Sequence, residues 1–263
     1  MKTVKKVILI LFIVLIVVIA ALGIWQRENI NSFINSVRYS KDEISGKIDD
    51  NNKKMNTIVE TTEYIDVRSG GLTAEEEKAL ADGEISQEDA IKIIRGQTSL
   101  EEIRAKKAEA SAVQQAEQTE KPKPVEKEEQ VSSQPSGAQT QKEPTKEEVM
   151  TDEVSNIVAE LYVVKANFLS QLESTGQQMY NEYIATHYDR TKITSIVDNY
   201  LPVVASLESE CDTTINGLLS QLETSLKKGG GDLGLVNEIR QYYYKEKSLK
   251  KSYYLNLIYE NSN

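Results

Sequence analysis

An apolar run of nineteen residues, Val7 to Trp25, constrains this 263-residue chain more than any other feature, because it contains neither a charge nor a proline. As a helix rising about 1.5 Å per residue it spans roughly 28 Å, close to the ~30 Å hydrocarbon core of a bilayer. Lysines among the first six residues favour a cytoplasmic N-terminus. The sequence therefore predicts a cytoplasmic segment at 1–6, a single transmembrane anchor at 7–25 in the cell membrane, and a body outside.

A cleaved signal peptide is the alternative interpretation of the same run. Val18-Ile19-Ala20 and Ala21-Leu22-Gly23 both offer small residues at a spacing suited to a signal peptidase. The run is longer than the roughly 7–15 apolar residues typical of a signal peptide, which favours a retained anchor. The alternative is a secreted chain, and both interpretations place the remainder outside the cytoplasm.

The composition argues against several functional classes. The formal net charge is −10, whereas nucleic-acid binding depends on basic surfaces. One cysteine, Cys211, and one histidine, His187, are too few for an intramolecular disulfide or a Cys/His zinc site. No nucleophile motif or α/β pattern accompanies them. We therefore predict no nucleic-acid partner, no metal, no cofactor and no enzymatic activity.

A heptad-like seam follows the anchor and predicts a helical stalk over 26–60. Seven of its nine positions are apolar, and Lys41 and Asn51 interrupt it. Polar seam residues lower the stability of a coiled coil but can fix its register. Periodicity alone leaves two alternatives open: a self-associating coiled coil, or an amphipathic helix packed on another part of the chain. The seam consists of Ile30, Ile34, Val37, Lys41, Ile44, Ile48, Asn51, Met55 and Ile58.

Capping signals predict a small three-helix module over 61–105. Thr73 with Glu76, Ser86 with Asp89, and Ser99 with Glu102 each have the spacing at which a side-chain oxygen satisfies the first amides of a helix. Gly83 and Gly96 end the first two helices. The candidate core contains Leu80, Ile85, Ala90, Ile93, Ile94, Leu100 and Ile103.

A polar segment over 106–144 predicts a disordered linker. It contains four prolines and few apolar residues, so it cannot bury enough surface to offset chain entropy. Its first part, to about Gln118, has the composition to continue the preceding helix.

Three long amphipathic patterns then predict an antiparallel three-helix bundle over 145–263. Thr145 with Glu148 starts the first helix, and Pro202 is expected to kink the second. Gly229-Gly230-Gly231-Asp232-Leu233-Gly234 formally satisfies G-x-G-x-x-G, but no strand pattern precedes it, so it predicts a turn between helices rather than a nucleotide site. The overall fold class is therefore all-α.

One surface of the last helix is a candidate interaction face. Its members repeat at helical spacing and combine positive charge with aromatic rings, which suits an anionic polymer, a membrane surface or an acidic partner. The alternative is an ordinary solvated face. The residues are Arg240, Tyr244, Lys247, Lys251 and Tyr254.

Taken together, these features predict a membrane-anchored, extracytoplasmic helical scaffold or interaction protein. Its expected partners are the membrane and an unidentified protein, with self-association through the stalk as a further option. The alternative function is a ligand-sensing or adhesion bundle that acts through a membrane partner.

Overall fold

The computed structural model describes residues 35, 38–117, 145–187 and 190–260, and these residues form seven α-helices and no strand. The predicted all-helical fold class is confirmed for these ranges. The predicted anchor at 7–25 and the linker from 118 onward lie outside them, and none of the described helices is long and apolar enough to cross a bilayer. The helices are α1 (Lys41–Thr61), α2 (Ala74–Ala81), α3 (Gln87–Ile94), α4 (Leu100–Glu117), α5 (Lys146–Ala185), α6 (Ile193–Gly229) and α7 (Gly234–Glu260), with a 3₁₀ turn at Arg190–Lys192 before α6.

Side-chain caps set the start of most of these helices. The predicted capping boxes at Thr73, Ser86 and Thr145 are all formed, and Ser99 Oγ accepts a hydrogen bond from Glu102 N at 3.2 Å. A further box at Ser40 and Glu43 starts α1. Within the predicted stalk over 26–60, a helix therefore begins at Lys41, because the Ser40 side chain accepts from the amide of Glu43 and the backbone of Ser40 is extended. Helix α4 runs past the predicted end of the module at 105.

Helices α1 and α7 pack together in the first of two compact units. Ile44 and Ile48 of α1 are buried against Leu249 of α7. Asn51, one of the predicted polar seam positions, is only 1% exposed, and its Nδ2 donates to the Tyr242 carbonyl at 3.0 Å. Two alternatives were left open for this seam, a self-associating coiled coil and a helix packed on the same chain. Over Lys41–Thr61 the helix packs on α7 of the same chain. At the end of the seam the buried residue is Val59 rather than the predicted Ile58.

The second unit, over 63–231, contains α2 to α6. Helices α5 and α6 form an antiparallel pair, and α2 and α3 pack against the first half of α5. The module core is as predicted, since all seven of its candidate residues are buried. The first half of α5 is correspondingly buried around most of its circumference, at Val154, Ser155, Ile157, Val158, Ala159, Leu161, Tyr162, Val163 and Ala166.

The three-helix bundle predicted over 145–263 is therefore divided between the two units. Its first two helices pair as expected, whereas α7 packs on α1. Gly230, at φ 80°, ends α6 in the left-handed conformation that glycine adopts without strain. Within its own unit α7 packs on α1, a pairing that the sequence had left open.

Candidate interaction surface

The first half of α5, up to Ala166, and the second half of α6, from Cys211, form the proximal half of the α5–α6 pair. This half is well packed. Ser225 Oγ donates to the Glu153 carboxylate at 2.6 Å across the two helices. On the opposite side of α5, Ser155 Oγ accepts from the Asp66 amide at 2.8 Å, and Arg95 forms an ion pair with Asp152 at 2.5 Å. These contacts hold α5 between α6 and the small module.

The two helices approach each other closely where α6 ends. A Cβ added to Gly229 would lie 2.2 Å from Met150 Sδ, so only a residue without a side chain allows this approach. The sequence identified the glycines from 229 to 234 as a turn between helices, and they do connect α6 to α7. Gly229 has this additional packing role, which the turn pattern did not indicate.

Beyond Ala166 the packing changes, and we call residues 167–187 and 190–210 the distal arm. Among its described side chains only Thr175 and Ile196 are buried, at 7% and 5% exposure. The apolar residues that recur at helical spacing along α5 and α6 are here only half-buried, because α5 and α6 face each other and the small module does not extend this far. We call these residues the seam of the arm. These half-buried residues are Phe168, Leu172, Met179, Tyr183, Tyr200, Val204 and Leu207.

Three large apolar side chains of the distal arm are exposed. Leu201 and Val203 flank Pro202 in α6 and are 62% and 46% exposed, and Ile184 near the end of α5 is 38% exposed. Helix α6 is continuous through Pro202, which is itself exposed. Leu201 and Val203 are two positions apart in one helix and therefore point to nearly opposite sides of α6, so that they border its half-buried residues on both sides.

A polar contact joins the two helices near the tip of the distal arm. The Tyr200 hydroxyl donates to the Glu182 carboxylate, and the pKa of Tyr200 is raised, first by burial and second by this negatively charged acceptor. The contact ties the start of α6 to the end of α5. His187, at φ 58°, ends α5 in the left-handed region beside the turn. Its side chain is exposed, as expected for a loop histidine.

The described members of the basic-aromatic face predicted on α7 are buried or half-buried. Lys247 is only 8% exposed, and its Nζ lies 5.6 Å from the centre of the Tyr244 ring. Arg240, Tyr244 and Lys251 are half-buried, and Arg240 donates to Asn237 Oδ1 at 3.3 Å. The side chain of Tyr254 lies outside the described residues. The four described members share one side of the helix. Because the central lysine is buried, this side differs from an ordinary solvated basic surface.

Cys211 is buried at 6% exposure in α6, where it acts as a small core residue. Within the ranges that the structure describes, no group of three or more His, Cys, Asp or Glu side chains is placed to hold a metal ion. The distal arm, with its half-open apolar seam, is therefore the best-defined candidate site.

Comparison with protein-family models, with curated proteins and with solved structures found no match to this chain.

Proposed function

We propose that this chain is a membrane-anchored interaction protein without catalytic activity, and that the distal arm is the element that contacts its partner. The single observation that supports this most directly is the change in burial along α5 and α6. The same two helices form a closed core up to Ala166 and a half-open seam beyond it.

The energetic argument follows from the hydrophobic effect. Apolar surface left in water gains about 25 cal/mol for each Å² that a partner covers. A two-helix arm covers only one side of each helix, so the outer flanks of its seam remain available. The distal arm keeps Leu201, Val203 and seven half-buried seam residues in this state.

The composition of the distal arm also suits an interface. Its first segment, from 167 to 187, carries only Glu173 and Glu182 as charged residues and is otherwise rich in Gln, Ser, Asn and Tyr. Interface cores are depleted in charge and enriched in tyrosine and methionine. Helix surfaces that remain in water usually carry more charge.

In this proposal the segment at 7–25 anchors the chain in the cell membrane, and lysines at its N-terminal side orient the body outward. The stalk then connects this anchor to the rest of the chain. A protease-accessibility assay on intact cells tests the orientation. Protection of the body from added protease would contradict it.

The interaction itself is tested by affinity capture from membranes that contain the full chain. We expect chemical crosslinking to yield a discrete complex that is lost when Leu201 and Val203 are both replaced by glutamate. The matched control replaces Val149 and Leu233, which are each 41% exposed but lie outside the distal arm. Complexes that survive the arm variant, or that are lost equally in the control, would contradict a role for the distal arm.

A further inference from the structure

We propose that the partner of the distal arm is the distal arm of a second copy of the same chain, and that the two hairpins together form a four-helix bundle. This inference rests on the proposed function, because it names the partner of the same surface. It differs from the self-association that the stalk seam suggested, since the seam of α1 is covered by α7 over Lys41–Thr61.

The geometry of the distal arm matches what a second hairpin needs. Two-helix hairpins with one-sided apolar seams complete their cores by packing face to face as four-helix bundles. The seam residues Leu172 and Met179 of α5 and Val204 and Leu207 of α6 are half-buried by the first hairpin. A second hairpin laid on the side of the arm that carries Leu201 would reduce the remaining exposure of both seams.

The area available is sufficient for a specific dimer. The α5 portion of the distal arm, 167–185, is about 28 Å long at a rise of about 1.5 Å per residue. Two helices with axes about 9 Å apart present a face roughly 18 Å wide. Two such faces bury on the order of 1,000 Å² in total, which is the lower limit for a specific interface. Anchoring of both copies in one membrane would raise their effective concentration and favour pairing across a modest area.

The charges at the tip are complementary under twofold symmetry. Glu182 lies in the last turn of α5, whereas the exposed Lys192 immediately precedes α6. Both therefore lie close to the hairpin turn but on different helices. A twofold axis along the arm places α5 of one copy beside α6 of the other, so that Lys192 faces the Glu182 carboxylate of the second copy. Isologous pairing of this kind supplies the same favourable contact twice.

The first test measures the mass of the purified full chain by sedimentation equilibrium in density-matched detergent. We expect the wild-type chain to be a dimer whose mass falls on dilution. The L201E/V203E variant should be monomeric at every concentration, and the V149E/L233E variant should dimerise like the wild type. Circular dichroism establishes that helix content is unchanged, as expected for substitutions at exposed positions.

The second test uses cysteine crosslinking of the full chain in membrane vesicles, in a Cys211→Ala background. We expect a thiol-reactive crosslinker with a spacer of about 15 Å to join two copies of Leu201→Cys, because α6 helices related by the twofold axis lie diagonally, about 13 Å apart for neighbouring axes about 9 Å apart. We expect it to join no copies of Val149→Cys. A monomeric wild-type chain at high micromolar concentration would overturn this inference. So would a wild-type dimer that the L201E/V203E substitution leaves intact. If the wild-type chain is monomeric but the arm variant still loses a captured partner, the proposed function stands and the identity of the partner as a second copy is wrong.

Discussion

Leu219 and Leu201 project from the same side of α6, eighteen residues and about five helical turns apart, but Leu219 is fully buried whereas Leu201 is 62% exposed. The side chain and the helix are the same at both positions. The difference lies in the neighbours, because the proximal half of α6 faces a helix that is itself packed on the small module. A comparison of Leu219 with Leu201 therefore separates the contribution of packing to stability from the contribution of helix propensity.

We predict that Leu219→Ala lowers the free energy of unfolding by about 3 kcal/mol, since it removes a buried side chain and leaves a cavity. Leu201→Ala should change it by less than about 1 kcal/mol, because alanine has a good helix propensity and an exposed leucine loses little contact. Urea denaturation followed by circular dichroism measures both. Dilute protein is needed, so that self-association does not add to the stability of the wild-type chain and make the Leu201 variant look less stable by comparison. Equal losses at the two positions would show that α6 is packed evenly along its length, contrary to the burial found here.

A second prediction concerns the close approach of Gly71 to Tyr162. A Cβ at Gly71 would lie 2.8 Å from Tyr162 Cδ1, and the backbone there has φ 73°. Gly83 has nearly the same φ, 72°, but a Cβ there would meet nothing within 4 Å. Gly83→Ala should therefore cost only the left-handed strain of about 1 kcal/mol. Gly71→Ala should cost about 1–3 kcal/mol more, because the loop before α2 must move off the Tyr162 ring.

Thermal unfolding of the two alanine variants side by side gives this difference directly. Both variants carry the same change in the entropy of the unfolded chain, so it cancels in the comparison. A Gly71→Ala variant no less stable than Gly83→Ala would mean that the loop adjusts without cost, and that Tyr162 does not fix the position of the module.

Much of the local structure could be predicted from the sequence, because caps and periodicity are properties of neighbouring residues. The boxes at Thr73, Ser86 and Thr145 and the core of the small module follow from such signals. The break at Ser40 was predictable too, since Ser40 and Glu43 have the same spacing as the other boxes. It was missed because the heptad pattern over 26–60 was extended across it.

The pairing of helices could not be predicted in the same way. An apolar stripe shows that a helix is covered but not by which neighbour, and α7 has a stripe that fits either α6 or α1. The burial of Lys247 is equally invisible in sequence, because a lysine at a flanking position is normally solvated. The open distal arm results from where α2 and α3 stop covering α5, which is a property of tertiary packing.

A third prediction concerns Asn51, whose amide is buried between α1 and α7. Its Nδ2 donates to the Tyr242 carbonyl, but its Oδ1 is buried and has no hydrogen-bond partner. An unsatisfied buried acceptor costs about 1–3 kcal/mol. We therefore expect Asn51→Leu to raise the free energy of unfolding by about 1 kcal/mol, since leucine removes the unsatisfied group and extends the apolar contact of Ile48.

The control for this variant is Asn51→Ala, which removes the amide but leaves a cavity and should be destabilising. Chemical denaturation of both variants distinguishes the two effects. Destabilisation by leucine as well as by alanine would show that the hydrogen bond to Tyr242 outweighs the unsatisfied oxygen.

The last prediction uses pH to test how the small module is held together. Glu76 is only 8% exposed and carries out two functions, since it completes the capping box at Thr73 and accepts from Arg68. Burial acts to raise the pKa of this carboxyl, but the hydrogen bonds from Arg68 and from the Thr73 backbone outweigh it, and the pKa of Glu76 lies below its ordinary value. A carboxyl with a lowered pKa in the folded state stabilises the fold above its unfolded pKa and loses that contribution as the pH falls through the folded value.

Glu76→Gln should therefore lower the free energy of unfolding at pH 7 by about 2 kcal/mol, the value of a hydrogen-bonded charged group. The difference from wild type should shrink as the pH falls below the ordinary glutamate range and vanish once Glu76 itself is protonated. Glu101→Gln, at an exposed glutamate in the first turn of α4, is the matched control and should have a small effect. Urea denaturation between pH 3 and about 7 measures both curves. A Glu76→Gln deficit that stays constant over this range would show that shape, rather than the charge facing Arg68, determines the contribution of this residue.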